Sequence, residues 1–547
     1  MTSFRHAERA TGLVCIVLHA HLPYVRHPEE SYFLEENWLY EAITETYIPL
    51  LEVFQRLVED AVDFRFTVSL SPSLICMFRD PLLQTRYLRH LDTMIELADK
   101  ELHRTAGSEA LHTVARMYHR RLHRARQVFT DVYGYDLCRG FKRFAESGQV
   151  ELITTCATHG YLPHLSVNPA CIDAQIRVGL EVFEQTFHVS PRGFWLPECG
   201  YCPDIERHLE AAGIDYFFLD RHGLVHAEPR PQFDVYAPVR CSSGVAVFGR
   251  DPASSRQVWS AQEGYPGDFD YREYYSDLGF EADLEYIKPY IHPLGIRINT
   301  GFKYRRITGP AGDKQVYRPG QARARALQHA AHFVQERQRQ VAHLAAHMPR
   351  QPLIVAPFDA ELFGHWWYEG PLWLEALARH IGNRQETLAL VTPSEYLARY
   401  PENQLCMPAA SSWGYRGYGE FWLEPANDWL YPYLHHAGAA MVELGRRFGR
   451  GSGGGDRASP TAIERRALHQ AARELLLAEA SDWAFIMKTG TMVAYARRRV
   501  QAHLSRFDRL YRELTGGRIA EDWLRELEWR DNVFGGIRCG DFYGPGQ

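Results

Sequence analysis

Two acidic residues, each placed where an apolar run ends, give this sequence its chemistry. Gly193-Phe194-Trp195-Leu196 reads as a short buried strand that Pro197 stops, and Glu198 follows at once. Leu353 to Pro357 is a second such run, and Phe358-Asp359-Ala360-Glu361 follows it. A carboxylate in apolar company is costly unless it is used. Glu198 and Asp359 lie 161 positions apart (359 − 198), so only folding can pair them. A pair of this kind suits glycosyl transfer: one carboxylate attacks an anomeric carbon, and the other protonates the leaving oxygen and later deprotonates the acceptor. Histidines gather at similar run ends. Leu13 to Leu18 leads into His19-Ala20-His21, and Glu151 to Thr155 leads into Thr158-His159-Gly160. Histidines at i and i+2 of an extended chain project to one side, which suits metal ligation or hydrogen bonding around a charged centre. The histidines are expected to donate to an ionised Glu198 and hold its pKa down. Asp359, between Pro357-Phe358 and the Trp366-Trp367 pair, is expected to have a raised pKa and to be the acid; Glu361, on the same side of an extended chain, stays open as the alternative.

These groups sit where an alternating strand and helix pattern would deliver them to one rim, since in barrels of that kind the carboxyl ends of the strands line the active site. Trp38 to Val58 reads as a helix, and Asp63 to Ser69 as a strand with Phe64, Phe66 and Val68 on one face. A helical insertion is expected at about 81–143, where Ala115, Tyr118, Leu122, Ala125 and Phe129 recur at helical spacing and Arg116, Arg120, Arg121, Arg124 and Arg126 form a solvated face. After the strand Tyr216 to Leu219 come long loops at about 221–306, with Val245 to Phe248 a strand candidate and Trp259, Tyr265, Tyr271, Tyr274 and Tyr275 among them. A helix at Ala322 to Ala346 and a last strand at Ala389 to Val391 complete the pattern. The reading is an α/β chain of two parts. Residues 1–400 form a barrel, and 401–547 form an all-helical domain with helices at Leu434 to Phe448, Ala462 to Thr489 and Met492 to Arg512 and a glycine-rich connection at 451–455. That domain is expected to present Trp413 and Trp422 to the rim.

Composition narrows the field. At 547 residues the chain exceeds the roughly 250 to 300 at which single cores stop growing. A hydrophobic share of 46% with 23% charged residues describes an ordinary globular protein. A net charge of −6 without a basic stripe argues against nucleic acid. No run reaches the roughly 18 apolar residues of a membrane span, and Leu13 to Leu18 is too short for a signal-peptide core, so a cytoplasmic location is expected. Cys199-Gly-Tyr-Cys202 has redox or half-zinc spacing. No second pair accompanies it, and Glu198 would raise rather than lower the first thiol's pKa, so neither use is favoured.

The motifs together carry a resemblance. His19-Ala-His-Leu-Pro-Tyr24, the block 151–163, Trp195-Leu-Pro-Glu-Cys199 and Ala356-Pro-Phe-Asp359-Ala-Glu-Leu-Phe-Gly-His365 resemble the successive signature regions of glycoside hydrolase family 57. The tail, with Ser411-Ser412-Trp413-Gly414 and Ser481-Asp482-Trp483-Ala484, is similar to that of the family's 1,4-alpha-glucan branching enzymes. The resemblance implies an incomplete (β/α)7 barrel, retention of configuration, an alpha-glucan such as amylose or a glycogen-like polymer as substrate, and neither metal nor other cofactor. By motif it places Glu198 as nucleophile, Asp359 as acid/base, and His19, His21 and His159 around the cleaved sugar. It also places Arg250, Gly267, Trp413 and Asp482 on the glucan and Trp259 and Trp422 near functional aromatics, with Tyr236 and Tyr265 as candidates for the tyrosine of a mobile loop. The implied reaction cuts an α-1,4 chain, holds it on Glu198 and rejoins it through a glucose 6-hydroxyl, with tryptophan platforms excluding water. The alternatives are an α-amylase or a 4-α-glucanotransferase of the same family and, more distantly, a metal-dependent polysaccharide deacetylase suggested by His19 and His21, or a non-catalytic glucan-binding module.

Overall fold

The computed structural model describes residues 7–260, 263–309, 313–448 and 460–537. Residues 1–6 and the glycine-rich stretch 451–455 therefore lie outside the described residues. Nine strands form one curled sheet: β1 (Gly12–Ala20), β2 (Phe66–Leu70), β3 (Val150–Thr155), β4 (Gly193–Trp195), β5 (Tyr216–Leu219), β6 (Val239–Arg240), β7 (Ala246–Gly249), β8 (Leu353–Asp359) and β9 (Leu388–Leu390). Seven of them run parallel in the order β7-β5-β4-β3-β2-β1-β8. Every residue of β1 and β2 is buried, because helices cover one face and the barrel interior fills the other; β1 reads as an apolar run up to His19 for that reason, whereas β2 alternates and buries Thr67 and Ser69 as well. The short strands β6, antiparallel on β7, and β9, parallel to β1 over Gly12 to Val14, are additions to this set. β9 takes the length of β1 that β2 leaves free, since β2 pairs only from Val17 onward.

The ring does not close. No ladder joins β7 to β8 among the described residues; the Asp251 N–H at the end of β7 donates to the Val355 carbonyl at 2.8 Å across the seam. The barrel is incomplete in the way the family resemblance implies.

The expected helix over 38–58 contains a π-turn, Ile43–Tyr47, between Asn37–Ala42 and α1 (Ile48–Glu59). The extra residue in that turn points Glu45 and Tyr47 inward, where both are buried. It also brings the Glu45 carbonyl against Gly364, whose φ is +116°; a Cβ there would sit 1.8 Å from that oxygen, so only glycine fits.

Between β2 and β3 stand α2 (Pro81–Arg104), α3 (Glu109–Gln127) and α4 (Cys138–Glu146). The predicted inner face of α3 is buried from Ala115 to Ala125. Its arginines divide: Arg116, Arg124 and Arg126 form ion pairs at the surface with Glu109, Glu52 and Asp92. Arg121 instead reaches inward to the Thr44 and Glu45 carbonyls and lies over the Tyr368 ring. Beyond β7, α5 (Pro252–Trp259) and α6 (Pro319–Ala345) follow.

Residues 401–429 are stitched to the barrel by isolated bridges, Arg240 to Leu405, Glu228 to Met407 and Tyr201 to Ser411. Then come α7 (Leu430–Phe448), α8 (Ala462–Ala478), α9 (Ser481–Thr489), α10 (Val493–Gly516) and α11 (Glu521–Arg530). The single helix expected over 462–489 is broken at Glu479-Ala480. Ala480 turns extended and bridges to Gly160, which sets the start of α9 over the strand ends. α11 escaped the sequence reading because only Leu524 and Leu527 of its ten residues are buried. No helix among the described residues is long and apolar enough to cross a membrane.

Candidate active site

Glu198 leaves β4 through Pro197 with a left-handed backbone, φ +61° and ψ +21°, and Cys199 follows at φ +49°. His159 has φ +59°. Non-glycine residues rarely occupy this region, and where they do the surroundings must hold them. Here the Trp413 N–H donates to the Glu198 carbonyl at 2.8 Å, and the Ser481 N–H donates to the His159 carbonyl at 3.1 Å. The tail thus fixes Glu198 and His159.

Both oxygens of the Glu198 carboxylate are held. Trp413 Nε1 donates to Oε2 at 2.7 Å, and Ser481 Oγ donates to Oε1 at 3.1 Å. This corrects the expected role of the histidines. His159 Nδ1 is 3.6 Å from Oε1, and it bonds at 2.9 Å to the Ser481 hydroxyl that stands between them. The donors to Glu198 are therefore an indole and a hydroxyl, both neutral.

The histidines form a stack under the acid. His19 lies on Trp195 with centroids 4.8 Å apart, and His21 lies on His159 at 4.0 Å. His19 bonds through Nδ1 to Ser69 Oγ at 3.1 Å and through Nε2 to His159 Nε2 at 3.0 Å. His21 Nε2 pairs with Asp482, 3.1 Å from each carboxylate oxygen. Burial pushes His19 and His159 well below the ordinary imidazole range, so both are neutral at physiological pH. With both nitrogens of His19 engaged by neighbours, its lone pairs do not converge with those of His21 on a shared point.

Asp359 lies beside this stack, paired in register with His19 across the β1–β8 ladder. Its carboxylate makes no hydrogen bond among the described residues, and burial raises its pKa to about 6 against the opposing pull of Arg250 and His21. Glu361 lies in a drier setting. It is 8% exposed, accepts from the His21 N–H at 3.1 Å and from the Tyr47 hydroxyl, and burial pushes it up to about 8. Glu361 is thereby engaged in holding His21 and the π-turn, whereas Asp359 is free. Glu198 is also raised, to about 7: burial dominates, Asp359 and Asp482 add to it, and Trp413 and Ser481 oppose it. The sequence reading expected a depressed value; neutral histidines supply no compensating charge.

Arg250, at the end of β7, stands 5.5 Å above the Trp413 ring and donates through Nε to Ser255 Oγ at 2.6 Å. Trp422 departs from its expected place at the rim. It is 2% exposed, with Tyr161 stacked on it at 5.1 Å and Phe485 at 6.4 Å, so it packs the seam between tail and barrel. Trp259, 39% exposed at the end of α5, and Gly267, in the turn Tyr265–Gly267, are not members of the hydrogen-bonded cluster. Of the two loop tyrosines, Tyr265 is buried and bonded to His332 at 2.8 Å, and Tyr236 accepts from Gln340 at 3.3 Å. Sequence reasoning missed Ser69, Tyr47 and Ser481 as parts of the site. The Ser481-Asp482 pair was a usable signal, since such residues favour helix starts and so marked a break in an otherwise helical run.

Relatives share the fold and much of the sequence. The profile of Glycosyl hydrolase family 57 matches residues 15–409, and that of the 1,4-alpha-glucan branching enzyme C-terminal region matches 433–542. A 1,4-alpha-glucan branching enzyme of Thermococcus kodakarensis is 33% identical over 97% of this chain and 78% of its own. Among solved structures, the α-amylase AmyC from Thermotoga maritima superposes with a TM-score of 0.90 at 42% identity, covering 98% of this chain and 100% of its own. A family 57 branching enzyme from Pyrococcus horikoshii superposes with 0.86 at 32% identity, covering 98% and 97%. With the strand order, the paired acids and a profile match spanning most of the sequence all in agreement, the chain belongs to glycosyl hydrolase family 57.

Proposed function

We propose that this protein is a retaining 1,4-alpha-glucan branching enzyme that cuts α-1,4 links and rebuilds them as α-1,6 branches in a glycogen-like glucan. The observation that carries the reading is the contrast between the two acids: Glu198 is clamped at both oxygens by Trp413 and Ser481, while Asp359 is half-buried and makes no hydrogen bond among the described residues. A nucleophile profits from fixed aim; an acid/base must turn toward two different oxygens in succession. In the first half, a Glu198 oxygen bonds to the anomeric carbon as the glycosidic bond breaks, and Asp359 passes its proton to the departing O4. In the second half, Asp359 takes the proton of an incoming 6-hydroxyl, whose oxygen displaces Glu198. His21, aligned by Asp482, and the neutral His19 and His159 line the sugar's place. Arg250 and Trp413 wall the site on the β7 side, and Gly267 and Trp259 belong to the glucan path on the loops beyond β7.

Transfer rather than hydrolysis requires that water be kept from the glycosyl-enzyme. The tail supports this reading, since it sets Trp413 and Ser481 on Glu198 and Asp482 on His21, and its residues 433–542 match the branching-enzyme profile. The likeness to the α-amylase AmyC favours the hydrolytic reading and sets the measurement. Purified protein is incubated with amylose, and α-1,6 links are counted with a debranching enzyme. New branches in excess of new reducing ends are expected; reducing ends rising without branches would make it a hydrolase. Glu198→Gln is expected to lower turnover by about 10³-fold or more while glucan binding and the thermal melt persist. Activity unchanged by a chelator is expected too, and its loss would revive the deacetylase reading.

A further inference from the structure

A continuous hydrogen-bonded chain runs from the barrel wall to Glu198. Its links are Ser69 Oγ to His19 Nδ1 at 3.1 Å, His19 Nε2 to His159 Nε2 at 3.0 Å, His159 Nδ1 to Ser481 Oγ at 2.9 Å, and Ser481 Oγ to Glu198 Oε1 at 3.1 Å. All four inner members are 3% exposed or less. Proton direction along it is forced at one end. An ionised carboxylate only accepts, so Ser481 donates to it and must itself accept from His159 Nδ1–H. A neutral imidazole carries one proton, so His159 Nε2 accepts from His19 Nε2–H, and His19 Nδ1 accepts from Ser69. The two histidines are therefore opposite tautomers. The far end is equally constraining: Ser69 is fully buried, and its hydroxyl has no partner but His19 among the described residues. Were Glu198 protonated and donating to Ser481, every link would reverse and the Ser69 proton would be left without an acceptor in a dry wall.

We propose that Ser481, supplied by the tail, is the positioning residue that terminates a one-way chain from Ser69, and that this chain biases Glu198 toward its ionised form from four links away. The inference rests on the reading of Glu198 as nucleophile. The other groups facing Glu198 are Asp359, Asp482, His159, Tyr161, Cys199 and, beside the Trp413 ring, Arg250. All of them remain in each variant below, so a shift between variants reports the chain.

The test is the pH profile of kcat/KM for branching. Ser481→Ala is expected to move the acid limb upward by about half a unit to one unit, with kcat falling and KM unchanged. Ser69→Ala, which touches neither sugar nor carboxylate, is expected to move it the same way by less. Ser481→Thr, which keeps the hydroxyl, is expected to restore the original limb. Folded Ser481→Ala and Ser69→Ala proteins whose acid limbs do not move would overturn the chain. Neutron diffraction of the unaltered protein guards against variants that fail to fold: hydrogen on His159 Nδ1 and His19 Nε2 supports the assignment, and any other pair of tautomers refutes it. Glu198→Gln retaining turnover would instead sink the nucleophile reading, so the two failures are distinguishable.

Discussion

A carboxylate in water is ionised well below neutrality, yet burial holds Asp359 at about 6 and Glu198 at about 7. The pair works with one proton between its members. In the free protein these values leave that proton more often on Glu198 than on Asp359, so the reactive arrangement, with Glu198 charged and Asp359 protonated, is the minor form of the same one-proton state. Below about 6 both are protonated and attack fails; above about 7 both are ionised and the leaving oxygen gets no proton. A narrow bell in kcat/KM centred between pH 6 and 7 is the expected outcome, and a plateau from pH 5 to 9 would contradict it. Glu361 bears on stability instead. Burial raises its folded pKa to about 8, so between its unfolded value and 8 the folded chain binds the extra proton and loses stability as pH rises. Glu361→Gln removes that dependence. Its melting temperature at pH 8 is expected to exceed the unaltered protein's by about 1–3 °C, with a smaller difference at pH 5. The acids were legible in the sequence because each follows an apolar run, a local pattern. Ser69 and Ser481 were not, because a serine acquires its role only from distant partners, 50 positions away for Ser69 and 283 for Ser481.

Strand ends deliver the chemistry, and two irregular turns perfect its aim. The π-turn at Ile43–Tyr47 carries Tyr47 to Glu361 and brings its backbone against Gly364. Gly364→Ala would force a methyl group into the Glu45 carbonyl at a φ that favours glycine, and a loss of about 2–4 kcal/mol is expected in denaturant unfolding, with activity falling in parallel. The interruption between α8 and α9 works likewise, since an unbroken helix through Ala480 would carry Ser481 away from Glu198. The parallel strands were readable because burial leaves apolar runs, as in β1 and β8, or an apolar alternation, as in β2. Neither irregular turn was, since a π-turn adds one residue without altering composition, and the glycine that betrays it lies more than 300 positions further on. Trp422 shows the converse: a tryptophan near a rim motif reads as a platform, but its stacking on Tyr161 makes it packing.

Barrel and tail act as one body, since the two donors on Glu198 and the partner of His21 all come from beyond residue 400. A chain ending at residue 429 keeps both acids yet loses Ser481 and Asp482 and uncovers the apolar surface around Tyr161 and Trp422. It is expected to aggregate or elute as soluble oligomers in size-exclusion chromatography and to branch no amylose; a monomer with turnover within tenfold of the full chain would show the tail to be dispensable. The open seam has one further consequence, and it concerns folding. Among the described residues β8 is laddered on one side only, so the height of Asp359 is set by seven pairings with β1, from Leu13 with Leu353 to His19 with Asp359, between segments 340 positions apart. A slip of one residue would turn Phe358 inward and Asp359 into the wall. A pairing this distant in sequence is also the one that must be matched without error, so refolded molecules that regain secondary structure early should regain activity only when this zipper closes.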